Sequence, residues 1–349
     1  MTVSVRNLAD GETRTDAPDI FLVGENGQGK SNFLEAVYFC SYASSFRVCR
    51  DADLVRIGDK DCSVRAALTD DIHDQLSVRI AAGEKQIFLD GKRVADRKAL
   101  LGVLAPVVFC HEDMEFISGT PEMRRWFFDQ SLGLYDYDYI DELRRFRKIL
   151  KTRNTVLKER EIALLELLDI QFVQAGLALM KKRTAAAVFF SAAFGPAYEA
   201  VSGIDGIEVR YAPSWKSGDE QEILRLLSEK REIDLNFGTS MSGPQRDRYS
   251  YYRKGAEFAS RASTGQRRLL ALLLRVTQAR RFSETTGKKP LLLLDDVLLE
   301  LDPEKRTRFL KSLPAYDQAF FTFLPEEPYE RYRTDSTLIY RVENGSLLA

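Results

Sequence analysis

The chain has 349 residues, 44% hydrophobic and 30% charged, with 51 lysines and arginines against 52 aspartates and glutamates. That is a globular composition with an ample core, long enough for one large domain with an insertion or for two domains. A net charge of −1 excludes a basic surface as a whole, so any nucleic-acid contact must come from local patches.

No run approaches the ~18 apolar residues of a membrane span, so no membrane association is expected. The opening MTVSVRNLADGETRTD lacks the apolar core of a signal peptide, and a cytoplasmic address is the expectation. The cysteines, at 40, 49, 62 and 110, form no C-x-x-C pair, and His73 and His111 are far apart. That is too little for a zinc site; a reduced compartment accounts for the thiols.

In chain order the first element is a buried strand over Ile20–Val23, followed by GENGQGKS at 24–31. Phe33, Leu34, Val37 and Cys40 then recur at helical spacing, so the glycine run lies between strand and helix. G-x-x-x-x-G-K-S in that context is a P-loop. Gly24, Gly27 and Gly29 let the backbone curl and turn its N–H groups toward an anion, to which the new helix adds its positive end. Lys30 is placed to reach the β- and γ-phosphates and Ser31 to ligate Mg²⁺. The alternative is a glycine-rich turn capping a helix.

Short alternating runs, CSVRAALT, QLSVRIAA and KQIFLDGKRV with its Asp90-Gly91 turn, predict antiparallel strands. A buried run VLAPVVF follows at 103–109. From about 121 the apolar residues step by three and four, predicting a set of long helices through AAAVFFSAAF at 185–194. Trp126, Phe127 and Phe128 read as core. Strand-like pieces return at 206–213, a helix near 219–231, and a glycine-rich turn at 238–247. A long helix is expected over 262–282, a buried strand at Leu291–Leu294, and a further strand in QAFFTF at 318–323.

Two of these later elements carry chemistry. Asp295 and Asp296 close the leucine strand as a Walker B pair does: one carboxylate holds Mg²⁺ through water and the next polarises the attacking water. Alone, the pair could equally be a strand-ending turn. STGQ at 263–266 opens the long helix and matches the S-x-G-Q signature of ABC-type ATPases. A plain N-cap would explain Ser263 or Thr264 without requiring Gly265 and Gln266. In an ABC-type head this helix points at nucleotide held by the other subunit, so ATP acts as the switch of a dimer.

These motifs together make the chain similar to the RecF family of DNA-repair ATPases, over nearly its whole length. GENGQGKSNFLEAVYF resembles that family's P-loop and helix, SSFR at 44–47 its Ser-Phe-Arg element, and FCHEDMEFISGTPEMRRWFFD its Pro-Glu-Asp and Gly-x-Pro-x-x-Arg-Arg segment. KTRNTVLK, SGPQRD, STGQRRLLALLL and LLLLDDVLLELD complete the series. His111 and Gln245 stand where the family usually has Pro and His.

The resemblance implies an α/β ABC-type head of the SMC-like kind, with residues 1–118 and 237–349 forming the ATPase lobe and 119–236 an inserted helical lobe. It implies ATP and Mg²⁺ as cofactors, and slow hydrolysis as the switch of an ATP-dependent homodimer. The implied partners are duplex DNA near single-strand gaps and RecR, with RecO and RecA as functional partners. Carried over, Gly24, Glu25, Asn26, Gly27, Gln28, Gly29, Lys30, Ser31 and Asn32 hold nucleotide, with Ser263, Gly265 and Gln266 at the composite site. Ser31 and Asp295 hold the metal; Lys30 and Asp296 are catalytic. Arg47 resembles an arginine that reaches the phosphates in SMC-like heads, its alternative being a surface arginine. Glu112 and Asp113 resemble a nucleotide-sensing loop, and Thr322 stands in the segment where a γ-phosphate sensor is expected.

Residues 140–160 hold eight lysines and arginines against three acidic residues. Leu143, Phe146, Leu150 and Leu157 form the expected buried stripe, leaving the arginines and lysines, among them Arg144, Arg145, Lys148 and Lys151, on an outer face. That face suits duplex phosphates or is simply solvated. Three rivals fit less well. A transporter subunit would not set Ser263 as far as 232 positions after Ser31. A structural SMC-like protein needs a far longer coiled coil, and a nuclease fusion more than the 47 residues after Asp302.

Overall fold

The structure, a computed structural model, describes residues 1–47, 50–69, 72–299 and 301–349. Cys49 and Glu300 lie outside the described residues. The chain forms two compact units, one of Met1–Glu112 with Gln278–Ala349 and the other of Asp113–Thr277.

The first unit holds a six-stranded sheet in the order Ser346–Leu348, Thr337–Glu343, Asp19–Val23, Gln318–Phe323, Leu291–Leu294, Pro106–Phe109. All neighbours are parallel except the hairpin between the first two. Strands covered on both faces read as continuous apolar runs, which is why four leucines in a row form one of them. The register sets Leu294 opposite Phe109 and Phe321, and Val23 opposite Phe323. The residues that follow these strands therefore leave the sheet along one edge, the carboxyl edge where α/β sheets bind ligands.

The helix Lys30–Tyr42 packs Phe33 and Leu34 into a cluster with Leu293, Phe320 and Tyr340. Burying each such side chain contributes about 1.5–3 kcal/mol. Its other neighbour is a five-stranded antiparallel sheet, where Leu76, Val78 and Ile80 alternate inward. Asp90 and Gly91 both take positive φ (52° and 74°), the type I′ turn that joins Glu84–Leu89 to Lys92–Val94.

In the second unit Thr120 caps Pro121–Tyr135 and Asp136 caps Tyr137–Glu159; Ile162–Ser202 follows. By length and composition that last helix is apolar enough to cross a membrane, contrary to the sequence expectation. Its Asp169 and Arg183 are buried in ion pairs and it packs along Tyr137–Glu159, as a core helix does.

This unit is wider than the 119–236 read from sequence. Arg248–Arg253 pairs antiparallel with Ile207–Ala212, and Tyr249 stacks on Phe128 at 3.8 Å between ring centroids. Those contacts bind the segment after 236 to the helices. Phe127 and Phe128 are core as expected, but Trp126 is 39% exposed: its helical position faces outward, against one side of Phe116.

Candidate nucleotide site

The P-loop is shaped by close approach. A Cβ on Gly24 would lie 2.4 Å from the Val342 carbonyl oxygen of the neighbouring strand, and Gly27 and Gly29 take φ of 79° and 114°. No other residue fits there without strain. The loop is braced from outside: Asn7 Nδ2 donates to the Gly27 carbonyl (3.2 Å), Asn32 Nδ2 to Asn7 Oδ1 (2.6 Å), and the Asn344 amide to Gln28 Oε1 (2.6 Å). Lys30 is buried, with Nζ donating to the carbonyls of Gly24 (2.6 Å) and Glu25 (3.1 Å). Its ammonium thus lies across the concave side of the loop.

Ser31 Oγ donates to Asp295 Oδ1 at 2.7 Å, joining the P-loop to the end of the leucine strand across 264 residues of chain. Burial, with Asp296 and Glu112 acting in the same direction, pushes the Asp295 carboxyl up to about 6 against the opposing pull of the Ser31 hydroxyl and Arg47. A serine hydroxyl and a carboxylate are the hard oxygen donors that Mg²⁺ takes. The residues present therefore fit that ion.

Asp296 stands at φ 51°, a left-handed conformation that costs about 1–3 kcal/mol outside glycine. Thr322 holds it there. The Asp296 amide donates to Thr322 Oγ1 (2.7 Å), which donates to Asp296 Oδ1 (2.7 Å) and lies 3.4 Å from Asp295 Oδ1. Thr322 is buried. The structure thus shows it ordering the Walker B pair.

Arg47 Nη1 donates to Asn32 Oδ1 (2.8 Å) and pairs with Glu35 Oε2 (3.4 Å). Glu35 is fully buried and also takes a two-pronged bond from Arg6 (2.8 and 2.9 Å) and the Ser45 hydroxyl. Arg47 is held by Asn32 and Glu35, and Arg6 in turn fixes Glu35; neither Glu35 nor Arg6 is a candidate site residue from sequence. The signal lay in the Asn-x-x-Glu spacing after Ser31, which puts Asn32 and Glu35 one turn apart.

Ser263, Gly265 and Gln266 belong to the second unit, at the start of the helix Thr264–Thr286. Ser263 Oγ accepts from the Gln266 amide (3.2 Å) and Gln266 Oε1 accepts from the Ser263 amide (2.9 Å). That reciprocal pair is a capping box, so local structure alone accounts for Gln266, contrary to the sequence argument. Gly265 is different: a Cβ there would meet nothing within 4 Å. The fold of this chain does not require glycine at that exposed position.

Glu112 and Asp113 separate in role. Glu112 bears on Asp295, whereas Asp113 is buried and accepts from Arg275 Nε (3.0 Å) and Nη2 (2.8 Å) as a structural pair.

Arg144, Arg145, Lys148 and Lys151 are all exposed on Tyr137–Glu159, and Arg144 pairs with Asp141 at 3.5 Å. The stripe beneath them differs from the reading. Phe146 and Leu157 are buried with Ile149 and Val156, while Leu143 and Leu150 are only partly buried. Arg153, expected on the outer face, is buried between Asp169 (2.7 Å) and Asp234 (2.8 Å), with Ser240 Oγ at 2.7 Å.

Residues 3–345 match a family model described as the RecF/RecN/SMC N terminal domain. The DNA replication and repair protein RecF of Treponema pallidum (strain Nichols) is 40% identical over 346 residues, 99% of this chain and 98% of that protein. RecF of Staphylococcus aureus (strain JH9) is 28% identical over 347 residues, 95% and 94% of the two chains. The solved structure of the recombination mediator protein RecF with ATP, in the RecFOR pathway, superposes with a TM-score of 0.90 at 26% identity, covering 100% of this chain and 96% of that one. An Smc head domain from Pyrococcus furiosus shares the fold alone, with a TM-score of 0.55 at 16% identity over 99% and 94% of the chains. A P-loop at the sheet's carboxyl edge, closed by a Walker B pair and matched along its whole length, settles the family: the chain belongs to the RecF family of DNA replication and repair proteins, on the ABC-type ATPase fold.

Proposed function

We propose that the chain is an ATP-switched DNA-binding protein of recombinational gap repair, a homodimer closed by ATP and opened by slow hydrolysis. The observation that carries this reading is the 2.7 Å contact of Ser31 with Asp295, which joins the P-loop to the end of the leucine strand. Lys30 and the P-loop amides would hold the phosphates, with Arg47 set beside them by Glu35 and Asn32. Ser31 and Asp295 would hold Mg²⁺, which when bound offsets charge on the phosphates. Asp296, oriented by Thr322, would accept a proton from water in hydrolysis.

Gly265 supports a composite site, because an exposed glycine that its own chain does not need suits close approach by a ligand held elsewhere. Ser263 and the helix start would then act on nucleotide bound by the partner. On this reading duplex DNA near single-strand gaps meets Arg144, Arg145, Lys148 and Lys151. RecR, with RecO, would be the partners through which RecA is loaded, in the cytoplasm and without a membrane.

Mixing two inactive variants tests the reading. Lys30→Ala disables a site from its own side and Ser263→Arg from the other side. Each should be nearly inactive alone. A heterodimer has one site with both lesions and one with neither, so ATP hydrolysis or ATP-dependent association, followed by light scattering, should return on mixing. If neither returns, although both variants are folded and the unaltered protein dimerises with ATP, Ser263 does not act across the dimer.

A further inference from the structure

In the run SGPQRDR (242–248) two arginines flank an aspartate, and the fold sends them to opposite places. Asp247 is buried. Its Oδ2 accepts from Arg183 Nη1 (2.8 Å) and the Tyr211 hydroxyl (2.6 Å), its Oδ1 from the Ser214 amide (2.8 Å), and its carbonyl from Arg125 Nη1 (2.8 Å). Arg183 also donates to the Pro244 carbonyl at 2.7 Å. Gly243, at φ 119°, leaves no room for a side chain: a Cβ would stand 2.7 Å from the Phe172 ring. Buried ion pairs add little net stability over apolar packing, and their best-attested use is to fix one geometry. Here they fix the main chain from 243 to 248.

That main chain presents Arg246 and Arg248, both exposed. Arg246 touches only the Ser240 carbonyl (3.4 Å) and the Met241 sulfur (3.8 Å), and neither arginine has a carboxylate partner among the described residues. Both line a cleft of about 610 Å³ whose walls also carry Arg125, Lys216, Glu122 and Met241. Glu122 is matched by Arg125 at 2.9 Å, so the charge of Lys216, Arg246 and Arg248 is left over. Guanidinium groups on a fixed support are the donors that grip phosphate oxygens in two-pronged fashion. Met241 and the prolines of the wall offer apolar surface for a sugar face.

We infer that this cleft binds phosphate esters, and that its ligand is the phosphodiester backbone of duplex DNA. Membership of a DNA-repair family favours nucleic acid over an acidic peptide, and phosphate oxygens take the larger share of protein–DNA hydrogen bonds. The inference rests on the DNA-binding reading above, but on other residues than the exposed row of Tyr137–Glu159.

The test is fluorescence anisotropy of a labelled duplex over a salt series, with ATP, ADP and no nucleotide. Arg246→Ala/Arg248→Ala should lower affinity tenfold or more and reduce the slope of log K against log[salt] by about 1.8, at about 0.9 per phosphate contact. ATP binding and melting temperature should hold, since both side chains are exposed. Arg225→Ala/Lys230→Ala, which removes equal charge elsewhere in the same unit, should bind DNA as the unaltered protein does. Unchanged affinity and slope in the first variant overturn the inference alone. So does binding of inorganic phosphate, or of a labelled hexaglutamate peptide, that the variant loses while its DNA affinity stays. If the unaltered protein binds no duplex in any nucleotide state, the wider DNA-binding reading fails and this one falls with it.

Discussion

Thr322→Val removes one hydroxyl and keeps the side-chain shape. In the structure that hydroxyl accepts from the Asp296 amide and donates to Asp296 Oδ1, both at 2.7 Å, and is 3.4 Å from Asp295. Leaving the amide without its partner costs about 1–3 kcal/mol. For a unit of this size that is a fall of roughly 2–12 °C in unfolding temperature. The left-handed Asp296 loses what holds it, and displacement of a reacting group by an ångström costs on the order of 10²-fold in rate. We therefore expect kcat for ATP hydrolysis to fall about 10–100-fold, with KM within about threefold because Lys30 and the P-loop are untouched. Thr322→Ser, which restores the hydroxyl, should recover most of the rate. Steady-state hydrolysis and thermal unfolding read both quantities. A variant that melts earlier yet keeps its kcat would make Thr322 purely structural, and a raised KM at constant kcat would place it in binding.

The quadruple change of Arg144, Arg145, Lys148 and Lys151 to Ala should weaken duplex binding equally across sequences and flatten its salt dependence, with ATP-driven dimerisation intact. Unchanged affinity and slope would mark that face as solvated or protein-binding. Burial pushes the Cys40 thiol up to about 12 and Cys62 to about 11. At pH 8 the Cys40 thiolate, the reactive form, is about a thousandfold scarcer than for an ordinary thiol, so peptide mapping after alkylation of the native protein should find it unmodified. Since both thiols ionise more readily when unfolded, their contribution to stability is full below about pH 9 and is lost as pH rises through 11 and 12. Rapid native-state labelling of Cys40 would contradict its burial.

The strands, the helices and the three motifs were legible because their signals are local: a glycine run, a leucine run, a helical period. The misreadings share one physical cause. The charge run sets Arg153 with the outer charges, although it lies four residues after Ile149 and three before Val156, both buried on the same helix. Its charge is tolerated there because Asp169 and Asp234 meet it from other helices. Gln266 was credited to the signature, although S-x-x-Q is also a capping-box pattern and the structure uses it as one.

By itself the sequence determined which residue types could cradle a phosphate and where, since only glycines allow that turn and only a strand-to-helix junction aims it. Tertiary structure alone decided what surrounds them. Strand register put Thr322 beside Asp295 and Asp296, although 26 residues separate it from the nearer one. A buried salt-bridge network turned SGPQRDR into an inward anchor flanked by two outward arginines. Register and buried pairing depend on partners far away in the chain, and no local pattern carries the identity of a distant partner.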